Sequence, residues 1–527
     1  MRKLLALLLT VALVLSLSGA AMAESTGSTP ANTLYISGAP ETLFDAMWEN
    51  FGGLYKNNVF RALFMSNADF TDVEPDLAES VTVSDDNLQF DITLRTDAVW
   101  HDGEPFTADD VVFSLKTALR AGIINTIFTS AFRNIEGAVA YAEGETEELT
   151  GVTVNDNVVT IKLSAPYGAF LNVLAQFAIY PEHLLAGADP LTIHNNEFWE
   201  NPVGIGPYKI AEVQWDDYAL LQRNEDFYGE MPQIEYIRMG NVSDTIVACM
   251  AGELDYFNTD SADILTQVAE IDGYEIYPVD IFYMRYFIFN IEGPDGTVHP
   301  MNDVRVRQAL MYALDREAIV SALFPTATIT DTFVPSGMAD YLTEAEHYTY
   351  DPEKATALLQ EAGFDFNQTI KLRYYYSDQA TIDFMDVIAS YWNAIGLNVD
   401  VSAFSGDATT QIYDVRDWDI VYKGLSAFGY EEAYGELLSS GNIMKNLVQS
   451  DVYDELVTQL GQALDPAERS EIVKELQKLD QEYMFRLPLY SLPNCVVVNT
   501  NRVNTAESFG NEWYNYDRGF ETWTIVE

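Results

Sequence analysis

The stretch from Thr369 to Ala403 constrains the fold more than any other part of the chain. Thr369 to Tyr376 reads as a strand, Thr381 to Ile395 as a helix closed by Gly396, and Asn398 to Ala403 as a second strand. Strands joined through a helix lie parallel in one sheet, because only such a crossover returns the chain to the same sheet end. The fold class is therefore mixed α/β. Around this unit, Asp351-Pro352 starts a helix with Asp as N-cap and Pro at its first position, and Gly363 stops it. Asp303 to Leu323 is a helical stretch with Val304, Ala309, Leu310, Ala313 and Leu314 on one apolar face.

Upstream, Val81 to Leu94 reads as a hairpin turned at Ser84-Asp85-Asp86-Asn87, and Val152 to Leu163 as another turned at Asn155-Asp156-Asn157. Thr107-Ala108-Asp109-Asp110 fits a capping box opening a helix to Leu119. The length of 527 residues predicts about three domains. No repeat period or low-complexity linker is present, so short crossings should join them.

Acidic residues number 81 against 28 basic ones, a formal charge of −53. Such a surface repels nucleic acid and anionic bilayers, and nucleic acid is excluded as a partner. With 48% hydrophobic residues the chain still buries large cores. Met1-Arg2-Lys3, the apolar run Leu4 to Leu17 and the Ala21-x-Ala23 pattern before Glu24 form a secretory signal peptide over residues 1–23. Its removal takes Arg2 and Lys3 and no acid, leaving −55. The remainder should be soluble and exported, periplasmic or extracellular, with no cysteine near the cleavage site to carry a lipid. Cys249 and Cys495 lie in apolar contexts that read as two separate core thiols.

Chemistry is sparse. His101, His183, His194, His299 and His347 show no metal-helix spacing and there is no C-x-x-C, so no metal and no cofactor is expected. Gly424-Leu425-Ser426-Ala427-Phe428-Gly429 departs from a nucleophile elbow by one residue, leaving a hydrolase using Ser426 only as a rival. Gly204-Ile205-Gly206-Pro207 lacks the third glycine of a phosphate loop. What stands out is aromatic: Tyr374-Tyr375-Tyr376, Phe282-Tyr283-x-Arg285-Tyr286-Phe287 and Phe428-Gly429-Tyr430. These suit alternating strand residues, or the walls of a ligand cleft.

Several segments together closely resemble one family, the extracellular solute-binding proteins of the oligopeptide, dipeptide and nickel class (family 5). They are Leu77 to Ser80, Phe90-x-Ile92-x-Leu94-Arg95, His101 to Ser114, Gly204-x-Gly206-Pro207-Tyr208-Lys209, Arg223-Asn224, Tyr228-Gly229, Ala251 to Asp255, Asn290, Asp303 to Arg316, Ile395-Gly396-Leu397 and Phe485 to Tyr490. They occur in the family's order over nearly the whole chain, and read physically as turns, caps and amphipathic faces. The resemblance implies a two-lobe periplasmic-binding-protein fold, type II and cluster C-like, with an extra domain inserted in the first lobe. The first lobe would comprise 24–68, 203–292 and 496–527, the extra domain 69–202 and the second lobe 293–495, with crossings near Asn290–Pro300 and Leu492–Val498.

It also implies a monomeric binding protein, no enzyme, that closes on a small solute and delivers it to the transmembrane subunits of an ABC permease. A peptide or peptide-like solute ranks first, an oligosaccharide second and a metal chelate third. Peptide-binding members carry an acid for the peptide amine after a Gly-Trp-like stretch. Here Leu425 stands for the tryptophan and Phe428 for that acid, with Glu431 or Glu432 as substitutes. Cleft contacts are expected from Gly38, Ala39, Glu41 and Thr42 after the first strand, Tyr283 and Arg285 on a strand before the first crossing, Tyr376 and Ser377 after a strand of the β-α-β unit, and Gly424, Ser426, Ala427, Phe428, Glu431 and Glu432 in the second-lobe loop.

Overall fold

The structure, a computed structural model, describes residues 32–38, 57–66, 73–215, 217–279, 281–291, 299–427, 429–439, 450–463, 465–505 and 520–526. The signal peptide and four expected contacts, Ala39, Glu41, Thr42 and Phe428, lie outside these residues.

The β-α-β unit is present. Strand Thr369–Tyr374 runs parallel to Asn398–Ala403, and helix Gln379–Ala394 crosses between them. The helix begins ahead of Thr381 because the Asp378 side chain accepts from the Thr381 N–H at 2.8 Å and caps it. Gly396, at φ +93°, turns the chain into the second strand. The unit forms one side of a six-stranded sheet, ordered Thr328–Ile329, Arg486–Ser491, Tyr283–Phe289, Ile420–Ser426, Thr369–Tyr374, Asn398–Ala403. The helical stretch from Asp303 is two helices, Val304–Tyr312 and Arg316–Leu323. Asp315 interrupts it, because its carboxylate caps the second helix at the Ala318 N–H.

A seven-stranded sheet is ordered Tyr274–Val279, Asn494–Asn499, Tyr256–Thr259, Thr33–Ser37, Tyr236–Gly240, Tyr218–Arg223, Tyr208–Gln214. Cys249 and Cys495 are buried free thiols in one apolar cluster beside it, with Phe257 and Val497. The chain leaves this sheet at Val279 and enters the six-stranded sheet at Tyr283; it returns between Ser491 and Asn494. Strand Tyr283–Phe289 pairs on both sides with six-stranded-sheet partners, so the first passage between sheets precedes the Asn290–Pro300 region expected from the resemblance.

A four-stranded sheet of two hairpins, Ala78–Val83 with Gln89–Leu94 and Val152–Asn155 with Val158–Lys162, carries left-handed Asn87 and Asp156 at its turns. Helix Ala108–Arg120 opens with the Thr107/Asp110 capping box. Phe90, Trp100, Leu115 and Phe170 from this region share one core with Leu34, Ile237 and Val496 of the seven-stranded sheet. Polar joints hold the two together. Arg61 donates to Asp76 at 2.6 Å, and Tyr228 donates to the other oxygen of that carboxylate at 2.6 Å. His101 accepts the Gly204 N–H at Nδ1 (3.2 Å), so its Nε2–H donates to the Gly206 carbonyl at 3.0 Å. A Cβ on Gly204 would lie 1.9 Å from the Val59 carbonyl oxygen, and one on Gly206 2.3 Å from that of Asn58. These glycines are packing sites with no phosphate to cradle.

Burial pushes the His101 imidazole down to about 4 from an ordinary 6.5. Folded His101 stays neutral while the unfolded chain takes up a proton below 6.5. Stability is then fully present above 6.5 and is lost as pH falls towards 4, by up to roughly 3 kcal/mol. Denaturant titrations at pH 7 and 4.5 should show the loss shrinking by about 2 kcal/mol in His101→Gln.

Candidate functional site

Strand Tyr283–Phe289 has two faces. Met284, Tyr286 and Ile288 enter one core, and Phe287 and Phe289 another. Tyr283 and Arg285 share the second face but lie at the strand end nearest the passage between sheets, with Tyr283 packed at the margin of the second core. Antiparallel register sets Arg285 opposite Gly424 on one neighbouring strand and Tyr490 on the other. Gly424 is required there: a Cβ would lie 1.9 Å from Arg285 Nη1 and 2.7 Å from the Tyr376 hydroxyl. Tyr376 reaches the same spot from just beyond the carboxyl end of strand Thr369–Tyr374, the end at which α/β sheets expose ligand-binding loops.

Arg285 Nη1 donates to the Tyr376 hydroxyl at 2.9 Å, and Nη2 donates to that of Tyr283. The guanidinium carbon lies 4.4 Å from the Tyr283 ring centroid and 4.3 Å from that of Tyr376. Tyr375 and Tyr376 join their hydroxyls at 3.0 Å, and Tyr422 and Tyr490 theirs at 2.6 Å. Burial pushes the Tyr376 hydroxyl well up. It does the same at Tyr283, against the pull of Arg285 and with a push from the Asp260 carboxylate. Asp260 follows strand Tyr256–Thr259 of the other sheet. The hydroxyls are neutral at physiological pH, and no carboxylate among the described residues pairs with Arg285. Burial acts against its charge, and the tyrosines around it more than offset that, raising its pKa.

The structure thus brings together Tyr283, Arg285, Tyr376, Gly424 and Ser426; Ser426 ends its strand opposite Tyr283. Ser377 is exposed beside Tyr376. Gly38, at φ +137°, follows strand Thr33–Ser37 of the other sheet and donates its N–H to the Gly240 carbonyl at 3.0 Å. Ala427 is buried in the core behind the sheet, its N–H bonded to the Phe282 carbonyl at 3.0 Å. Glu431 forms an ion pair with Arg469. Glu432 is half-buried in the first turn of helix Tyr430–Gly435. Both acids raise the Tyr167 hydroxyl in addition to its burial, and the neighbouring Gly168 N–H donates to the Gly461 carbonyl at 2.6 Å. The region of the four-stranded sheet therefore touches the body of the six-stranded sheet at this point. Asp260, Tyr422 and Tyr490 were missed by sequence reasoning; only Tyr490 carried a signal, as the end of a family-like segment. His101, His183, His299 and His347 hydrogen-bond away from Ser426, and among the described residues no cluster of three metal-ligating side chains occurs.

Beneath the site lies a buried ionic network. Lys423 pairs with Glu436, Arg486 stands 3.6 Å from Glu436 and 3.7 Å from Asp480, and Tyr286 donates to Glu436 at 2.8 Å. Tyr434 and Tyr453 donate to Asp480 at 2.7 and 2.8 Å. This fixes the back of the strand that carries Gly424.

Two sheets linked by two short passages, with a polar aromatic cluster at that junction, define a type II periplasmic-binding-protein fold. Residues 72–442 match the family described as bacterial extracellular solute-binding proteins, family 5 Middle, and the chain belongs to that family. It is 30% identical over 325 residues to the dipeptide-binding protein of Escherichia coli, covering 57% of each chain. It is 24% identical over 493 residues to the oligopeptide-binding protein AppA of Bacillus subtilis, covering 85% of each. Among solved structures, NikZ of Campylobacter jejuni in complex with Ni(L-His) superimposes with a TM-score of 0.73 at 23% identity, over 94% of this chain and 100% of that one.

Two outcomes are expected. Glu436→Gln leaves buried Lys423 and Arg486 short of a counter-charge and should cost about 3–5 kcal/mol in denaturant unfolding. Gly424→Ala moves only the flexible ends of Arg285 and Tyr376. It should leave the unfolding midpoint nearly unchanged while lowering the solute retained through purification roughly tenfold.

Proposed function

We propose that this protein is the substrate-binding component of an ABC importer. It captures a peptide or peptide-like solute between two lobes and presents the closed form to the transmembrane permease subunits. Family membership and the names of the Escherichia coli and Bacillus subtilis relatives support this reading. The observation that carries it is the Tyr283–Arg285–Tyr376 cluster opposite Gly424, a polar, aromatic wall at the junction of the two sheets. In the proposed layout the seven-stranded sheet is the core of the first lobe, the six-stranded sheet that of the second, and residues 69–202 the extra domain. The leader would be removed after Ala23, and the exported chain would act as a monomer. Among the described residues no helix is long and apolar enough to cross a membrane.

Mass spectrometry of the solute released on denaturing the purified protein tests the reading, and peptide masses are the expected result. Thermal unfolding in peptide mixtures should rise in midpoint with concentration, as binding to the native state requires. Release of an oligosaccharide or a nickel chelate instead would overturn the peptide assignment. An esterase or peptidase activity lost in Ser426→Ala would overturn the transport role.

A further inference from the structure

Arg285 is a partly buried cation whose hydrogen-bond partners among the described residues are tyrosine hydroxyls. Two of its five donor hydrogens go to tyrosine oxygens among the described residues, and the aromatic faces above and below it carry no net charge. A partly buried guanidinium with no counter-ion among the described residues is an incomplete interaction, and its planar fork matches a carboxylate in two parallel hydrogen bonds. The other cations in this part of the six-stranded-sheet body are committed: Lys423 to Glu436, Arg469 to Glu431, and Arg486 to the Ala433 carbonyl beside Glu436 and Asp480. Glu431, one of two candidates for an amine partner, is held by Arg469, whose Nη1 also donates to the Leu460 and Ala463 carbonyls at 3.2 Å.

We propose that Arg285 anchors a carboxylate group of the solute, so that the site selects solutes carrying a free carboxylate and does not require a free ammonium. This deepens the solute-binding reading and rests on it. Tyr283 and Tyr376 hold the fork by their hydroxyls and rings, and Gly424 leaves the space it occupies. The side chain is thereby positioned before the solute arrives, which reduces the ordering cost of binding. In a protein of charge −53 the anchor also sets a local positive potential against the repulsion of the whole surface.

The test uses the full mature chain and a mixed-sequence tetrapeptide library in four forms: free, N-acetylated, C-amidated and blocked at both ends. Succinate and citrate serve as non-peptide carboxylates. Retention after rapid desalting is read by mass spectrometry, and thermal midpoints are measured in parallel. N-acetylated peptides should be retained like free ones, and amidation should lower retention about 10- to 100-fold, the range of a lost charge-assisted pair. Arg285→Met should lose the same factor for free peptides and show no further loss on amidation; Arg285→Lys should fall between. Unliganded midpoints of both variants should stay near the wild-type value, separating lost binding from lost folding.

Equal retention of amidated and free peptides, or undiminished retention by Arg285→Met, overturns the anchor and leaves the peptide reading standing. Stabilisation by succinate or citrate that vanishes in Arg285→Met, with no peptide retained, keeps the anchor and removes the peptide reading. Failure of every carboxylate-bearing probe to bind the wild-type chain overturns the anchor.

Discussion

The site depends on one steric fact: a guanidinium can lie flat at the edge of this sheet only because the strand beside it has no side chain at Gly424. A methyl there would occupy the place of Arg285 Nη1 and press on the Tyr376 hydroxyl. The two residues meet because the strands Tyr283–Phe289 and Ile420–Ser426 pair in a single register, and sliding by one position would turn Arg285 to the opposite face. That register is held from behind by Tyr286 and Lys423, cross-strand partners that both reach Glu436. Buried ionic groups do not by themselves make a protein stable, but they penalise every arrangement that separates them. Here the penalised alternatives include the one that would separate Arg285 from Gly424.

Several motifs shared with the family are joints between segments remote in sequence. Asp255, fully buried, accepts from the Tyr35 N–H at 2.9 Å and from Arg502 at 2.7 Å, tying an early strand to the late part of the chain. Asn290 donates to the Trp418 carbonyl at 2.9 Å and accepts from Arg416 at 2.7 Å. Arg307 donates to the Met301 and Tyr483 carbonyls. These bonds run within the protein and join segments far apart in the chain, a scaffold role.

Local structure was legible where a single residue type decides it. Asp351 and Thr107 announced helix starts, Asn87 and Asp156 turns, and Gly363 and Gly396 helix ends. The helical run from Asp303 reads as continuous because its apolar spacing persists past Asp315, and only the capping bond shows the break. Non-local pairing was not legible. Nothing in Asn494–Asn499 tells that it enters between Tyr256–Thr259 and Tyr274–Val279, and a strand such as Tyr283–Phe289, apolar on both faces, suits a place in either sheet. Of the candidate site, Tyr283, Arg285 and Tyr376 could be named from strand ends and aromatic density, and Gly424 from a loop that resembles the family's. That Gly424 makes room for Arg285, and that Arg469 holds Glu431, depends on distances no sequence spacing carries.

The two passages between sheets are short, and their length limits motion. Val279 to Tyr283 is four residue steps and Ser491 to Asn494 three, so at full extension they span roughly 14 and 10 Å. Tethers of that reach forbid the sheets to slide far apart, and relative movement reduces to rotation about a line through both. Tyr283 and Tyr490 sit beside that line, and the opposed Tyr167–Gly168 and Gly461–Arg469 surfaces stand elsewhere in the two bodies. A solute held at Arg285 would therefore experience an almost stationary floor, while the contact at Gly168 would make and break as the bodies turn.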